Sequence, residues 1–540
     1  MPLPAAPAQA AILVARQLTS LRVLAATGII KPYSPLALLR AAHALVVWGM
    51  GPAGGFTVQA ILARDTTALI DELGELTFGD LHERSNALAD SLAARGVGTD
   101  RGIAVMCRNH RGFVDATLAA AKLGADIVYL NTAFAGPQLV DVLAQERPVV
   151  VVHDEEFSGL LAGADVDRIL AWTDGPVETP TLERLIAAGS PEERKPPTSN
   201  SRMVILTSGT TGTPKGAPRS KAGIDAAVAL LSRLPFKGRW RTHVAAPLFH
   251  TWGWAHLALS MLLGSTVVLR RRFDPEDCLD TVTRNDCDSL VVIPVMLQRI
   301  LRLPHETLDA HDLSGVKIVA ASGSALPGDL SAEWMDQFGD TLFNIYGSTE
   351  VAYATIANPV DLREAPGTAG KAPHHTVVKV YDADDRELPR GETGRIFVGN
   401  SLLFEGYTGG GSKAMIDGLM ATGDIGHFDE DGRLFVEGRD DEMIVSGGEN
   451  VFPQEVEDCL ARHPGVVEAA VIGVDDPDFG KRLRAFVVLS DSGAADEDDL
   501  KEHVKQNLAR FKVPREVVFV DELPRNATGK VLKRALADSG

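Results

Sequence analysis

The sequence has few cysteines and lacks the features that direct a chain out of the cell. Its 540 residues contain four cysteines that are far apart and form no C-x-x-C pair, namely Cys107, Cys278, Cys287 and Cys459. This spacing argues against a disulfide framework and against a structural zinc site. The N-terminus also lacks the basic start and the single apolar run of a signal peptide. We therefore expect a cytoplasmic protein.

Positive charge is scarce relative to negative charge. The chain has 53 basic and 72 acidic residues, which gives a net charge of −19. Because nucleic-acid binding needs clustered Lys and Arg to contact phosphates, the sequence predicts no nucleic-acid partner. Any phosphate that the protein binds must be held locally, by backbone amides, a few basic side chains and a metal ion. The length itself predicts two or more domains.

The first 55 residues carry little charge and form an apolar segment. A first helix is predicted by apolar residues at helical spacing, which are Val14, Leu18, Leu21 and Ala25. A second helix is expected from Ser34, a capping residue followed by proline. Residues 41–63 contain no Lys, Arg, Asp or Glu, yet Pro52 and the glycines beside it would break a membrane-spanning helix. We expect this helical extension to pack on the protein's own body, with peripheral membrane contact as the alternative.

From residue 56 the pattern alternates between apolar strands and helices. Residues 67–78 predict a β-hairpin, and strands then alternate with helices as far as residue 320. This alternation predicts an α/β fold, in which a large N-terminal domain has doubly wound sheets with helices on both faces. Residues 377–398 predict a strand-rich subdomain. A small α+β domain begins after residue 438, so we expect domains at 1–55, 56–438 and 439–540.

The strongest local motif is a loop rich in glycine and hydroxyl residues that follows the apolar strand at 203–206. Glycines let the backbone approach phosphate closely, and hydroxyls and a lysine add donors and charge. The spacing is not that of a Walker loop, because Lys215 follows Gly212 by three residues. The predicted phosphate-binding residues are Thr207, Ser208, Gly209, Thr210, Thr211, Gly212 and Lys215.

This loop resembles the phosphate-binding loop of the adenylate-forming superfamily. That superfamily includes acyl-CoA synthetases, firefly-luciferase-like enzymes and peptide-synthetase adenylation domains. Further motifs that resemble those of the superfamily follow in the same order, as far as residue 535. The resemblance implies that MgATP activates a carboxylic acid as an acyl-adenylate, and that the small C-terminal domain is mobile.

The segment Asn344-Ile345-Tyr346-Gly347-Ser348-Thr349-Glu350 resembles a second motif of the superfamily. By this resemblance Tyr346 stacks on adenine, Thr349 contacts the α-phosphate and Glu350 helps to hold Mg²⁺. The chemistry agrees, since a hard cation prefers carboxylate and phosphate oxygens. The resemblance adds further nucleotide-binding residues, which are Gly323, Ser324, Ala325, Asn344 and Gly347.

Three motifs near the C-terminus resemble the remaining parts of such an active site. The segment Thr422-Gly423-Asp424 implies that Asp424 accepts hydrogen bonds from the ribose hydroxyls, with Arg439 nearby. Carboxylates are natural ribose acceptors. Lys530 resembles the lysine that catalyses adenylation. An isolated lysine so close to a chain end would be interpreted as a solvated residue, so this assignment depends on the resemblance.

The segment after Arg439 resembles the connection between the two domains of the superfamily. The resemblance makes Asp441 the hinge about which the small domain turns. It also implies that Gly447 and Gly448 line the tunnel for the pantetheine arm of CoA, where a side chain would block a thin ligand. Without the resemblance, the two aspartates at 440 and 441 would be interpreted as a solvated turn.

The segment from Pro247 to Trp254 resembles the acyl-pocket motif and bears on the substrate. Members that activate amino acids have an aspartate where this chain has His250, so an uncharged acyl tail is favoured. We group His250 with Lys530, Thr349 and Glu350 as candidate catalytic residues. Trp254 lies where some fatty acyl-CoA synthetases have a gating tryptophan, and the alternative is an ordinary core aromatic.

These motifs together predict an AMP-forming fatty acid–CoA ligase that uses ATP, Mg²⁺ and CoA. The expected partners are a medium- or long-chain fatty acid, ATP and CoA, while a homodimer is left open. One alternative is a ligase for aryl acids, and another is a ligase that passes the acyl group to a separate carrier protein. A third is a membrane-associated or scaffolding protein with an inactive copy of the fold, but the intact candidate residues argue against it.

Overall fold

The computed structural model describes residues 17–29, 31–49, 51–207, 215–219, 224–446, 449–476, 480–490, 495–525 and 530–537. Within these ranges the strands form four sheets. Two of them are mostly parallel and belong to the large N-terminal part. A third, antiparallel sheet follows them, and a fourth lies in the C-terminal part. The expected α/β class, with a strand-rich subdomain and a small α+β domain, is confirmed.

The first mostly parallel sheet has six strands, and the described residues of its four central strands are buried on both faces, as expected where helices cover both sides. Its first five strands are parallel, and the last pair is antiparallel. In spatial order the strands are Asp167–Trp172, Val150–Asp154, Ile103–Met106, Ile127–Tyr129, Met203–Thr207 and Lys215–Arg219. The helices of this region are Phe78–Ala94, Arg111–Lys122, Gly136–Glu146 and Leu182–Ala188.

The second mostly parallel sheet has eight strands, and only its two outer pairs are antiparallel. In spatial order the strands are Thr355–Ala357, Leu342–Tyr346, Ile318–Ala321, Ser289–Val292, Arg241–Val244, Thr266–Val268, Thr67–Asp71 and Gly74–Thr77. The helices of this region are Pro52–Leu62, Ile224–Leu231, Thr251–Leu262, Pro275–Arg284, Pro294–Leu301, His305–Asp309, Gly328–Phe338 and Pro359–Glu364. The last two strands are the hairpin predicted at 67–78.

The third and fourth sheets carry the C-terminal part of the site. The antiparallel sheet contains strands Val377–Tyr381, Gly394–Gly399, Leu419–Phe428, Met415–Ile416 and Leu434–Arg439. A single turn of 3-10 helix, Asp440–Glu442, leads from it into the C-terminal part. The fourth sheet contains strands Glu449–Val451, Ile444–Ser446, Gly480–Leu489, Val466–Asp476 and Glu516–Phe519, and its helices are Pro453–Ala461, Glu497–Asn507 and Lys533–Ala537.

The N-terminal extension is helical, but it buries a different face from the predicted one. The helix Pro35–Trp48 begins as expected, with the Ser34 hydroxyl accepting a hydrogen bond from the amide of Ala37 at 3.2 Å. In the preceding helical residues 17–26, however, the predicted stripe of Leu18, Leu21 and Ala25 is exposed. Val23 and Leu24 pack on the body instead. Val14 lies outside the described residues.

The stripe was mispredicted because this helix carries apolar residues on more than one side. A 3.6-residue period fits either face, so the pattern cannot select the one that packs. No described helix is both long and apolar enough to cross a bilayer.

The candidate site lies where several parallel strands end. The strands Met203–Thr207, Arg241–Val244, Ile318–Ala321 and Leu342–Tyr346 each end within a predicted motif or just before one. Ligands of open α/β sheets bind at the carboxyl ends of strands, because there the loops converge and the backbone is free to contact them. The fold therefore collects motifs that are distant in sequence.

Candidate active site

A single cavity of about 1230 Å³ brings together most of the predicted site residues. Both the N-terminal sheets and the C-terminal part contribute to its wall. The predicted residues that line it are His250, Trp254, Gly323, Ser324, Ala325, Asn344, Tyr346, Gly347, Thr349, Glu350, Asp424, Arg439 and Lys530. The cavity is large enough for a nucleotide together with an acyl group.

Asp424 is held by two side chains on the wall of this cavity. The Tyr346 hydroxyl donates a hydrogen bond to Asp424 Oδ2 at 2.5 Å, and Arg439 Nη1 lies 3.2 Å from Oδ1. Arg439 faces Asp424 because the two residues are paired across antiparallel strands. Burial, together with the Asp424 carboxylate, raises the pKa of the Tyr346 phenol, so this group remains a neutral donor. The arrangement fixes a carboxylate as an acceptor for hydroxyl groups.

The Glu350 carboxylate is buried and has a partner that the sequence motifs did not indicate. The hydroxyl of Tyr407 donates to Glu350 Oε1 at 2.7 Å. Lys215 Nζ lies 5.4 Å from the centre of the Tyr407 ring, so the lysine of the phosphate loop and Glu350 have this tyrosine as a common neighbour. A carboxylate beside Thr349 on a cavity wall suits a hard cation such as Mg²⁺, since oxygen ligands are preferred.

Arg219 is a second residue that the sequence motifs missed. It ends the strand that follows the phosphate loop, and its guanidinium donates to the carbonyl oxygens of Leu402, at 2.9 Å, and Thr349. Burial lowers the pKa of Arg219 to about 10, and Glu350 partly opposes this shift. The side chain therefore stays charged at neutral pH and fixes the backbone of Thr349. The one feature of the sequence that marks Arg219 is its position four residues after Lys215.

The wall formed by residues 246–255 carries no charge. It includes His250, whose pKa burial lowers to about 3, so the imidazole is neutral at neutral pH. Nε2 of this ring is buried and has no hydrogen-bond partner among the described residues. Trp254 lies on the same wall, and its indole Nε1 donates to the hydroxyl of Tyr129 at 2.9 Å. The hydrogen bond fixes the indole at the cavity surface.

Lys530 reaches the cavity from the C-terminal part. Its Nζ lies 3.9 Å from Glu442 Oε1, and the other Glu442 oxygen lies 3.1 Å from Lys533 Nζ. Although burial lowers the pKa of Lys533, the carboxylates of Glu457 and Glu442 raise it overall. In this structure Lys530 therefore lines the same cavity as Glu350. It lies next to the carboxylate of Glu442, which the sequence motifs did not indicate.

Comparison with known families agrees with this geometry. The family model of the AMP-binding enzyme matches residues 56–408, and that of the AMP-binding enzyme C-terminal domain matches residues 455–530. The chain belongs to this family. It is an adenylate-forming acid–CoA ligase that releases AMP and uses ATP, Mg²⁺ and CoA.

Curated relatives and solved structures of this AMP-binding family are similar over most of their length. The feruloyl-CoA synthase of an Amycolatopsis species is 32% identical over 464 residues, which span 85% of this chain and 92% of the relative. The indoleacetate–CoA ligase of Aromatoleum aromaticum is 32% identical over 473 residues, with the same coverage. The solved o-succinylbenzoate CoA synthetase of Bacillus subtilis, bound to its acyl-adenylate intermediate, has a TM-score of 0.80 and 28% identity, covering 90% of this chain and 98% of that one.

Nine predicted residues of the AMP-binding enzyme lie wholly or partly outside the described part of the chain. Seven lie outside the described residues, namely Ser208, Gly209, Thr210, Thr211, Gly212, Gly447 and Gly448. For Thr207 and Asp441 only the backbone is described. Thr207 ends the strand Met203–Thr207, and Asp441 lies in the 3-10 turn Asp440–Glu442.

Replacing Tyr346 with phenylalanine should raise the KM for ATP by about tenfold or more with a smaller effect on kcat. The variant keeps the ring but removes the hydrogen bond to Asp424, which costs about 1.5–3 kcal/mol for a charged acceptor. ATP–pyrophosphate exchange measures both constants. Tyr381→Phe is the matched control, because its buried hydroxyl has no hydrogen-bond partner among the described residues and does not line the cavity. Equal KM values in the two variants would contradict the role of this contact.

Proposed function

We propose that this ligase activates a medium- or long-chain fatty acid and transfers the acyl group to CoA. The observation that carries the proposal is the uncharged wall at residues 246–255, which includes a neutral His250 and the indole of Trp254. A buried charged or zwitterionic tail would need a partner on this wall. The apolar extension, which exposes Leu39 and Val46, further supports an aliphatic acid, because it suits an enzyme whose substrate partitions into lipid.

In the first half-reaction we assign the phosphate loop, Glu350 and Lys530 to charge neutralisation. A carboxylate oxygen of the acid attacks the α-phosphorus of ATP, and the bond to pyrophosphate breaks. Lys215 and the loop hold the β- and γ-phosphates, and Glu350 would hold Mg²⁺, whose charge would neutralise them. Lys530 stabilises the charge that moves between the attacking and departing oxygens.

In the second half-reaction we assign residues 439–540 to a domain that turns about Asp441. This rotation carries Lys530 away and brings Gly447 and Gly448 to the site, where they line the path of the pantetheine arm. The thiolate sulfur of CoA attacks the carbonyl carbon of the acyl-adenylate, the bond to the phosphate oxygen breaks, and AMP leaves.

The second candidate is a ligase for aryl acids, because the feruloyl and indoleacetate enzymes reported above are similar over most of the chain. Pyrophosphate release with saturated acids of increasing length, with benzoate and with a cinnamate separates the two. The same panel with and without CoA distinguishes a CoA ligase from one that loads a carrier protein. A flat aliphatic series beside a strong aromatic substrate would favour the aryl-acid ligase.

We expect kcat/KM to rise severalfold for each two-carbon step until the pocket is full. Each buried methylene contributes about 0.8 kcal/mol, and part of this is realised in the transition state. Trp254→Ala should shift the preferred chain length, because the ring closes part of the wall. Tyr129→Phe is the control, since it removes the acceptor of the indole N–H but leaves both rings. If Trp254→Ala lowers only the melting temperature and leaves the profile unchanged, the ring is a core residue.

A further inference from the structure

The N-terminal extension differs in charge from the rest of the chain. Residues 1–55 precede the part that matches the AMP-binding family. The first 63 residues contain four basic residues and no acidic one, although the whole chain has a net charge of −19. The four cations are Arg16, Arg22, Lys31 and Arg40. A positive segment therefore adjoins a strongly negative body.

The helix Pro35–Trp48 exposes an apolar face to solvent. It buries Ala41, Ala44 and Trp48, two of which join the main hydrophobic core, and it packs against the helix Pro52–Leu62. On the opposite side, Leu39 is 68% exposed and Val46 is 84% exposed. These two residues are seven apart and share one face of the helix. Other large apolar side chains are exposed nearby in sequence, namely Leu18, Leu21, Leu36, Leu38 and Leu45.

We propose that this helix docks on an anionic lipid bilayer with Leu39 and Val46 inserted at the headgroup boundary. Interfacial helices combine an apolar face with flanking cations, and both features are present here. Exposed Arg22, Lys31 and Arg40 complement anionic headgroups, and the absence of acidic residues removes local repulsion. The acidic body is repelled by the same surface, which orients the molecule with the extension facing the lipid.

A second copy of the chain fits this face less well than a lipid surface. A symmetric dimer places the same patch of each protomer against the other. Here that would bring two positive segments together with no acidic residue in either to pair with them. The inference goes beyond acid activation and does not depend on which acid the enzyme activates.

The test measures co-sedimentation of the full-length protein with vesicles. One set contains only phosphatidylcholine, and the other contains about one third phosphatidylglycerol. We expect binding to the anionic set that weakens with added salt. The double variant Leu39→Glu/Val46→Glu should bind at least about tenfold more weakly, and Arg40→Ala about fivefold. The matched control is Leu73→Glu/Val360→Glu, which changes two side chains that are 58% and 61% exposed outside the extension.

Pyrophosphate exchange with a water-soluble acid shows that each variant keeps its fold, and light scattering gives its mass. The proposal is supported if every variant retains exchange and if vesicle binding weakens in Leu39→Glu/Val46→Glu and in Arg40→Ala but not in Leu73→Glu/Val360→Glu. Wild-type protein that stays in the supernatant with anionic vesicles would overturn it. Equal loss of vesicle binding in both double variants would also overturn the proposal. A wild-type dimer that Leu39→Glu/Val46→Glu converts to monomers, without vesicle binding, would assign the face to a second copy of the chain.

Discussion

The Lys530→Ala variant should lose adenylation by about 10²-fold or more and retain thioester formation from supplied acyl-adenylate. In this structure Lys530 shares one cavity with Glu350 and Asp424 although it belongs to the C-terminal part. Charge moves between oxygens on the α-phosphorus during the first half-reaction, and an ammonium group there lowers the barrier. Once the adenylate exists, the acyl carbonyl is the reacting centre. The ammonium group of Lys530 then has no moving charge to stabilise.

Two separate assays measure the effect of Lys530→Ala. ATP–pyrophosphate exchange reports the first half-reaction, and acyl-CoA formed from synthetic acyl-adenylate reports the second. Lys505→Ala is the matched control, because this lysine lies in the same C-terminal part, is exposed and pairs with Glu502 at its surface. An equal loss in both half-reactions would contradict the assigned role. Glu442→Gln should give a smaller loss in the first assay only, since the Glu442 carboxylate lies 3.9 Å from Lys530 Nζ and helps to place this ammonium group.

The sequence predicts the secondary structure of this chain closely where the local pattern has only one solution. The hairpin expected at 67–78 is present as strands Thr67–Asp71 and Gly74–Thr77, with the turn between them. The helix expected after Ser34 is present as Pro35–Trp48. In these cases the turn residues, the proline at the helix start and the apolar period all favour the same structure.

Contacts between distant parts of the chain could not be predicted in the same way. Arg219 donates to the carbonyl of Thr349, and Tyr407 donates to Glu350, across large sequence separations. Neither residue belongs to a motif quoted for the site, and the one sequence signal of either is that Arg219 follows Lys215 by four residues. Their importance arises from strand order and from burial, which only the folded chain defines. The helical residues 17–26 are the opposite case. Their local apolar pattern predicted which face would pack, but that face is exposed in the structure.

The motifs locate candidate site residues that line one cavity, but they do not identify the acid. Nucleotide-binding motifs are defined by chemistry that every member shares, so Tyr346, Glu350 and Asp424 could be located from short segments. The acyl wall is defined by shape and by the absence of charge. Many acids satisfy an uncharged wall, and discrimination by one methylene is small. The acid therefore has to be found by kinetics across a panel.

The Asp441→Pro variant should have the opposite effect to Lys530→Ala. Adenylate should still form at a rate close to that of the wild type, whereas transfer to CoA should fall by about 10²-fold, because the thiol is not brought into position. Proline fixes φ near −65° and so resists the backbone rotation that a hinge requires. The backbone of Asp441 lies in the short turn Asp440–Glu442, between the strand Leu434–Arg439 and the C-terminal part.

The same two assays measure this effect, and Asp441→Ala is the matched control. Alanine removes the carboxylate but leaves φ free, so it should preserve both half-reactions if the backbone rotation is what matters. A loss in Asp441→Ala equal to that in Asp441→Pro would assign the effect to the side chain. CoA transfer at the wild-type rate in Asp441→Pro would show that the domain turns about another residue. Opposite losses in Lys530→Ala and Asp441→Pro are expected if one mobile domain serves the two half-reactions in turn, because Lys530→Ala then disables its first position and Asp441→Pro prevents it from reaching the second.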